Sequence, residues 1–216
     1  MNNYIIAIDG PSGSGKSTIA NELSKKLEIS YLNTGSMYRA LTLYFLENNI
    51  KKDENINKSL LEKINIDIKN NKVYLNNKDV SLEIRDSFVT ENVSWVSSIM
   101  AVREYLVKLQ RKIASNKSII LDGRDIGTVV FPNAKYKFYL DASPEIRARR
   151  RFEQKEINKS IDEIKDDIIK RDYIDSHREI SPLKKADDAY VIDSSNLSIE
   201  EVVSKIISYM DKEDVL

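Results

Sequence analysis

Gly10-Pro11-Ser12-Gly13-Ser14-Gly15-Lys16-Ser17 fits the pattern G-x-x-x-x-G-K-[ST], and its flanks are those the chemistry requires. Before it runs the apolar, β-branched stretch Tyr4-Ile5-Ile6-Ala7-Ile8, which reads as a strand. After it Ile19, Leu23 and Leu27 recur at helical spacing. The glycines let backbone N–H groups turn inward as an anion nest, and the helix N-terminus adds positive potential. Lys16 then reaches the outer phosphates, and Ser17 offers a hydroxyl to Mg²⁺, with Thr18 as a second candidate. Strand, loop and helix in register predict that residues Gly10, Pro11, Ser12, Gly13, Ser14, Gly15, Lys16, Ser17 and Thr18 hold ATP or GTP.

Further apolar runs at Ser118-Ile119-Ile120-Leu121, Tyr136-Lys137-Phe138-Tyr139-Leu140 and Ala189-Tyr190-Val191-Ile192 alternate with helical patterns. One such pattern is Val102, Tyr105, Leu106, Leu109 and Ile113; another is Ile199, Val202, Val203, Ile206, Ile207 and Met210. This alternation predicts an α/β fold: a central parallel sheet flanked by helices around the phosphate loop. Ser143-Pro144 offers a helix cap with proline at the first position, and Ser160 to Glu163 and Ser198 to Glu201 are capping boxes. From Ile64 to Val80 the rhythm changes to period two around Asn- and Lys-rich breaks, which predicts a small antiparallel hairpin inserted beside the main sheet. Its asparagines suit either a solvated loop or a binding surface.

The 216 residues, 41% of them hydrophobic, suffice for one core with appendages. Lys plus Arg and Asp plus Glu number 34 each, so no overall field draws the chain to nucleic acid or membrane, and any anion site must be a local cluster. The 0 cysteines exclude thiolate chemistry, and the single histidine, His177, cannot build a His-rich metal centre. No stretch has the length of a membrane span, and Tyr4 to Ile8 is too short for a signal-peptide core, so a cytoplasmic location is expected.

Ile119-Ile120-Leu121-Asp122 is an apolar strand ending in a carboxylate, the pattern that holds hydrated Mg²⁺ beside such loops; Asp9 competes for the same role. Arg39, Arg103, Arg124, Arg147 to Arg151, Arg171 and Arg178 follow strand ends or lie in helical patterns. Transfer of a phosphoryl group between two nucleotides needs several converging cations, because catalysis there is positioning and charge neutralisation. Nucleic-acid binding by the same arginines is disfavoured by Glu153, Glu156, Asp162 and Glu163. A guanine-reading switch would carry Asn-Lys-x-Asp, and both Asn77-Lys78-Asp79-Val80 and Asn158-Lys159-Ser160-Ile161 lack its last Asp.

Five stretches give the chain a specific resemblance. They are Ile8 to Ser17, Thr34-Gly-Ser-Met-Tyr38-Arg39, Val80-Ser-Leu-Glu-Ile-Arg85, Asp122-Gly-Arg-Asp-Ile-Gly-Thr-Val-Val-Phe-Pro132 and Arg171-Asp-Tyr-Ile-Asp175. In these it resembles the bacterial cytidylate kinases, a branch of the nucleoside monophosphate kinases, over nearly its whole length. The resemblance implies a single kinase unit over residues 1–216, with an acceptor-binding insertion at about 60–95 and a lid at about 147–160. It implies ATP as donor, Mg²⁺, and CMP and dCMP as acceptors; a monomer is expected, and UMP should be the poorer acceptor because uracil reverses the hydrogen-bond demand at N3 and O4. Lys16, Arg124, Arg150 and Arg151 would be catalytic, and Ser17 and Asp122 would serve the metal. Arg39 and Arg124 would hold the acceptor phosphate with Ser12 assisting. Ser94, Arg103 and Asp125 would read cytosine, while Tyr38, Arg171, Asp175 and Arg178 would surround the ribose near Thr34. Asn33 and Ser36 depart from the family's Asp and Ala. If a carboxylate at position 33 orients Arg39, acceptor affinity would change.

Overall fold

The computed structural model describes residues 3–52, 54–69, 71–154 and 159–215. Its elements begin with β1 (Ile5–Asp9), α1 (Lys16–Leu27), β2 (Ser30–Asn33), α2 (Thr34–Glu47) and the single turn α3 (Lys58–Leu61). Then come β3 (Ile66–Lys69), β4 (Lys72–Leu75), β5 (Lys78–Asp79), α4 (Ser87–Ser98) and α5 (Met100–Ala114). The chain ends with β6 (Ile119–Gly123), β7 (Tyr136–Asp141), α6 (Pro144–Glu153), α7 (Ile161–His177), β8 (Tyr190–Asp193) and α8 (Ile199–Ser208). They fall into two compact units, one of Met1–Tyr31 with Ala114–Leu216 and one of Leu32–Ile113.

In the first unit the sheet order is β2-β6-β1-β7-β8, with parallel pairing of β1 to β6, β1 to β7 and β7 to β8. Ile6, Ala7 and Ile8 are all fully buried, which explains why β1 reads as a continuous apolar run rather than an alternating one. Ile19, Ala20 and Leu23 of α1 and Val202, Val203 and Ile206 of α8 pack with Ile6, Ile8, Phe138, Leu140 and Ile192 into one core cluster. Burying each such large side chain contributes about 1.5–3 kcal/mol. From β1 the chain builds first to one side, through β2 and β6, and then to the other, through β7 and β8. The carboxyl end of β1 is therefore a topological switch point, where open α/β sheets bind ligands. Asp9, Asp141 and Asp193 close their strands there, and Asp122 stands one residue before the end of β6.

The helix starts are those the sequence marks. Ser143 caps α6 ahead of Pro144, and Ser160 and Ser198 form reciprocal capping boxes with Glu163 and Glu201. β2 was not legible as a strand: Ser30-Tyr31-Leu32-Asn33 is short, and only Leu32 is buried.

In the second unit the expected hairpin proves to be a three-stranded antiparallel sheet, β3-β4-β5. Lys69 pairs with Lys72 and Leu75 with Lys78, and the β4–β5 connection is a two-residue turn. Such turns match the strand twist when both central residues have positive φ. Asn76 and Asn77 have φ of 48° and 69°, and Asn71 has φ of 61°. Asparagine tolerates this region better than any residue but glycine, which gives the asparagine-rich composition a conformational cause. Asn77→Ala is expected to lower the stability of the chain by about 1 kcal/mol, the cost of a left-handed residue with a β-carbon, with Asn77→Gly costing less. Urea unfolding midpoints of the two variants check this.

Candidate functional site

The loop between β1 and α1 depends on glycine at its first position. Gly10 has φ of 148°, and a β-carbon there would lie 2.0 Å from the Leu140 carbonyl oxygen. Gly13 and Gly15 also have positive φ, of 78° and 92°, and Gly15 is the left-handed N-cap of α1, with no side-chain cap. Lys16 is buried and reaches across the loop, donating from Nζ to the Pro11 carbonyl at 2.6 Å and to Ser14 Oγ at 3.3 Å. Burial, with the positive charge of Arg124 next, pushes the Lys16 amine well below its ordinary value.

The competing carboxylates have different partners. Asp9 accepts from the amides of Ile126 (2.8 Å) and Gly127 (2.7 Å), one on each oxygen, and so anchors the π-helical turn Ile126–Val130. Asp122 accepts from Ser17 Oγ at 2.7 Å on one oxygen and from the Tyr31 hydroxyl at 2.8 Å on the other. Burial raises the Asp122 carboxyl, against the opposing pull of Lys16. Ser17 and Asp122 thus present two hard oxygens side by side at the start of α1, a donor set that suits Mg²⁺. Among the described residues no group of three or more His, Cys, Asp or Glu could hold a metal. Thr18 is exposed.

A second cluster follows the carboxyl end of β6, the same end of the sheet as the phosphate loop. Arg124 Nε donates to Asp175 Oδ2 at 3.0 Å, Arg171 Nε lies 3.8 Å from the same oxygen, and Arg178 is 3.7 Å from Asp125. Burial would raise the Asp175 carboxyl, but Arg124, Arg171 and Arg178 outweigh it and hold it below its ordinary value. Arg171 is pushed down to about 10 by burial, and Arg124 and Arg151 add to the shift. Lys16 in turn is lowered by both Arg124 and Arg171. The phosphate-loop lysine and the arginine cluster therefore repel one another across a shared low-dielectric region.

On α6 the arginines separate by role. Arg147 is buried, pairs with Asp172 at 2.6 Å and donates to the carbonyls of Ala142 (2.8 Å) and Ser12 (3.0 Å). Arg150 donates to the hydroxyl (3.0 Å) and carbonyl (2.5 Å) of Ser194 and to the Ser14 carbonyl (3.4 Å). Arg151 reaches Ser12 Oγ at 3.4 Å. Of the expected lid, residues 155–158 lie outside the described residues.

In the second unit Arg39 donates to the Ile84 carbonyl at 3.0 Å and to Thr90 Oγ1 at 2.9 Å, which ties α2 to the Val80–Arg85 stretch. Arg103 lies 5.5 Å from the centre of the Tyr38 ring and donates to the Ser97 carbonyl at 3.3 Å. Ser94 and Thr34 are buried on α4 and α2. Asn33 caps α2 by accepting from the Ser36 amide at 2.9 Å. The amide oxygen does at this helix start what a carboxylate would do.

Three contributors escaped the sequence reading. Tyr31 sits in the unrecognised strand. Asp172 reads as one more charge in an acidic and basic helix, and Ser194 follows the last strand with no motif around it. An Asp directly before Ser194 or a Tyr two before Asn33 is no signal without the pairing partner.

Burial pushes the Asp9 carboxyl up to about 6 from an ordinary 3.8, against the backbone hydrogen bonds from Gly127 and Ile126. A raised acid favours the protonated form in the folded state, so its stabilising contribution is present below about pH 4 and is lost as pH rises through about 6. The stability difference between the parent chain and Asp9→Asn should therefore shrink on going from pH 4 to pH 6.5. Thermal unfolding of both across that range checks the sign.

A family model described as cytidylate kinase matches residues 6–212. The chain is similar to the cytidylate kinase of Fusobacterium nucleatum subsp. nucleatum, 54% identical over 217 residues, covering 98% of this chain and 99% of that protein. It is 50% identical over 212 residues to the cytidylate kinase of Clostridium acetobutylicum, covering 96% and 97%. In fold alone it is similar to the shikimate kinase of Bacteroides thetaiotaomicron, with a TM-score of 0.50 at 13% identity over 95% of this chain and 97% of that one.

Proposed function

We propose that this chain, which belongs to the cytidylate kinase family and is a phosphotransferase with a phosphate group as acceptor, moves the terminal phosphate of ATP directly onto CMP or dCMP, with UMP the poorer acceptor. The observation that carries this reading is the gathering of Lys16, Arg124 and Arg171 near the loop, with Asp175 between the two arginines. Burial lowers Lys16 and Arg171, and the charge of Arg124 adds to both shifts, in a chain whose formal net charge is +0. Such a cluster is suited to phosphate groups that arrive with compensating negative charge.

In this mechanism the loop amides and Lys16 hold the donor's outer phosphates, and Lys16 moves from its Pro11 and Ser14 partners onto the migrating group. Ser17 and Asp122 would hold Mg²⁺, which when bound supplies charge neutralisation on the phosphate oxygens. Asp122 is preferred to Asp9 in this role because it is the carboxylate bonded to the Ser17 hydroxyl, whereas Asp9 anchors the turn Ile126–Val130. Arg124 and Arg151 approach the transferring phosphoryl. Arg150 is assigned there too; its guanidinium bonds Ser194 and the Ser14 carbonyl, which ties α6 to the loop.

On the acceptor, Asp125 accepts from the cytosine N4 amine while Ser94 and Arg103 donate to O2 and N3. Arg39 and Arg124 hold the phosphate with Ser12, and Tyr38, Arg171, Asp175 and Arg178 surround the ribose near Thr34. Uracil reverses the demand at N3 and at its exocyclic oxygen. A misplaced buried hydrogen bond costs ~1–3 kcal/mol, so CMP should be favoured over UMP by roughly ten-fold or more in kcat/KM. The enzyme acts as a monomer in the cytoplasm in this reading, with the stretch at about 147–160 closing over the donor and that at about 60–95 serving the acceptor.

Two experiments test it. ADP release from ATP, measured with and without CMP, dCMP, UMP and shikimate, should rise strongly with the cytidine nucleotides; equal turnover on CMP and UMP at subsaturating acceptor would sink the specificity. Lys16→Ala should lower kcat/KM at least ~100-fold, judged against arginine-finger effects, and full activity would remove Lys16 from the reaction.

A further inference from the structure

Every polar group of Ser12 is engaged by the helix pair α6 and α7. Its amide donates to Asp172 Oδ1 at 3.4 Å, its carbonyl accepts from Arg147 Nη1 at 3.0 Å, and its hydroxyl meets Arg151 Nη1 at 3.4 Å. Asp172 and Arg147 close the ring with an ion pair of 2.6 Å. The pair is well shielded, with side-chain exposures of 23% and 5%, so screening by water and salt is weak. The backbone also leaves no slack, because a β-carbon on Gly13 would lie 3.1 Å from Cβ of Arg147.

On α7 Asp172 is bracketed by Arg171 and Asp175; Asp175 accepts from Arg124 and lies 3.8 Å from Arg171. A helix moves as a rigid rod over one turn, so a shift that reseats Arg171 and Asp175 also shifts Asp172. The same carboxylate is bonded to the third residue of the phosphate loop.

We propose that the Asp172–Arg147 pair is a positioning device that couples the acceptor end of α7 to the donor loop, so that occupancy of one nucleotide site alters affinity at the other. The inference rests on the assignment of the loop to ATP and of Arg171 and Asp175 to the acceptor. By reciprocity, each nucleotide must change the other's Kd by the same factor.

Titration calorimetry of the full chain measures this directly. Mg-AMP-PNP is titrated with and without saturating CMP, and CMP with and without saturating Mg-AMP-PNP. The parent chain is expected to show a common factor of about five or more. In Asp172→Asn, which keeps an acceptor for the Ser12 amide but loses the charge, that factor should fall towards one. Removing one member of a buried ion pair can unfold a protein, so Asp172→Asn/Arg147→Gln, which leaves no orphan charge, provides the second variant with the same expected loss. A factor of one in the parent chain, or an undiminished factor in a folded variant, overturns the coupling while leaving the kinase assignment standing. Failure of the parent chain to bind CMP at all overturns the acceptor assignment and this inference with it.

Discussion

The burial of a lysine in a loop built from backbone amides is the constraint around which the first unit is organised. Lys16 cannot be screened by water where it sits, and it satisfies its ammonium on Pro11 and Ser14 of its own loop. Arg124 and Arg171 increase the strain on it, whereas Asp9 and Asp122 relieve it. The relief is incomplete because Asp9 is committed to the π-helical turn and Asp122 to Ser17 and Tyr31. A protein whose charges balance overall thus concentrates an imbalance in one place. That concentration distinguishes a site from a surface, since solvated charges elsewhere on the chain, such as Lys25 with Glu22, interact only weakly.

The elements most legible from sequence were those with their own local signals. The loop motif fixed β1 and α1 together, and the serine caps fixed the starts of α6, α7 and α8, because a cap is a contact between residues three apart. β2 escaped because only one of its four residues is buried, leaving no run or alternation to read. The third strand beside the hairpin escaped because β5 is two residues long. Its turn could be read only once Asn76 and Asn77 were seen as left-handed rather than as composition.

The site divides along the same line. Lys16, Ser17 and Asp122 could be chosen from a motif and a strand end, but the choice between Asp122 and Asp9 depended on which amides and hydroxyls surround each. The arginines on α6 look alike in the run Arg147 to Arg151, yet one is buried in a clamp, one is engaged with Ser194 and one reaches Ser12 Oγ. Helical spacing predicts that such residues differ in direction, but not what each will meet. Asn33 shows the opposite case: a departure from the family's pattern that looked like a lost charge retains the cap that the helix start requires.

The order of strands also constrains how the chain comes to be made. β1 lies between β6 and β7, so Ile5 must wait for Ile119 and Ile6 for Tyr136 before the first strand has either neighbour. As the chain leaves the ribosome, β1 therefore stays without strand partners until β6 and then β7 have emerged. The loop between β1 and α1 gains both of its flanking strands only once β6 and β7 have been made.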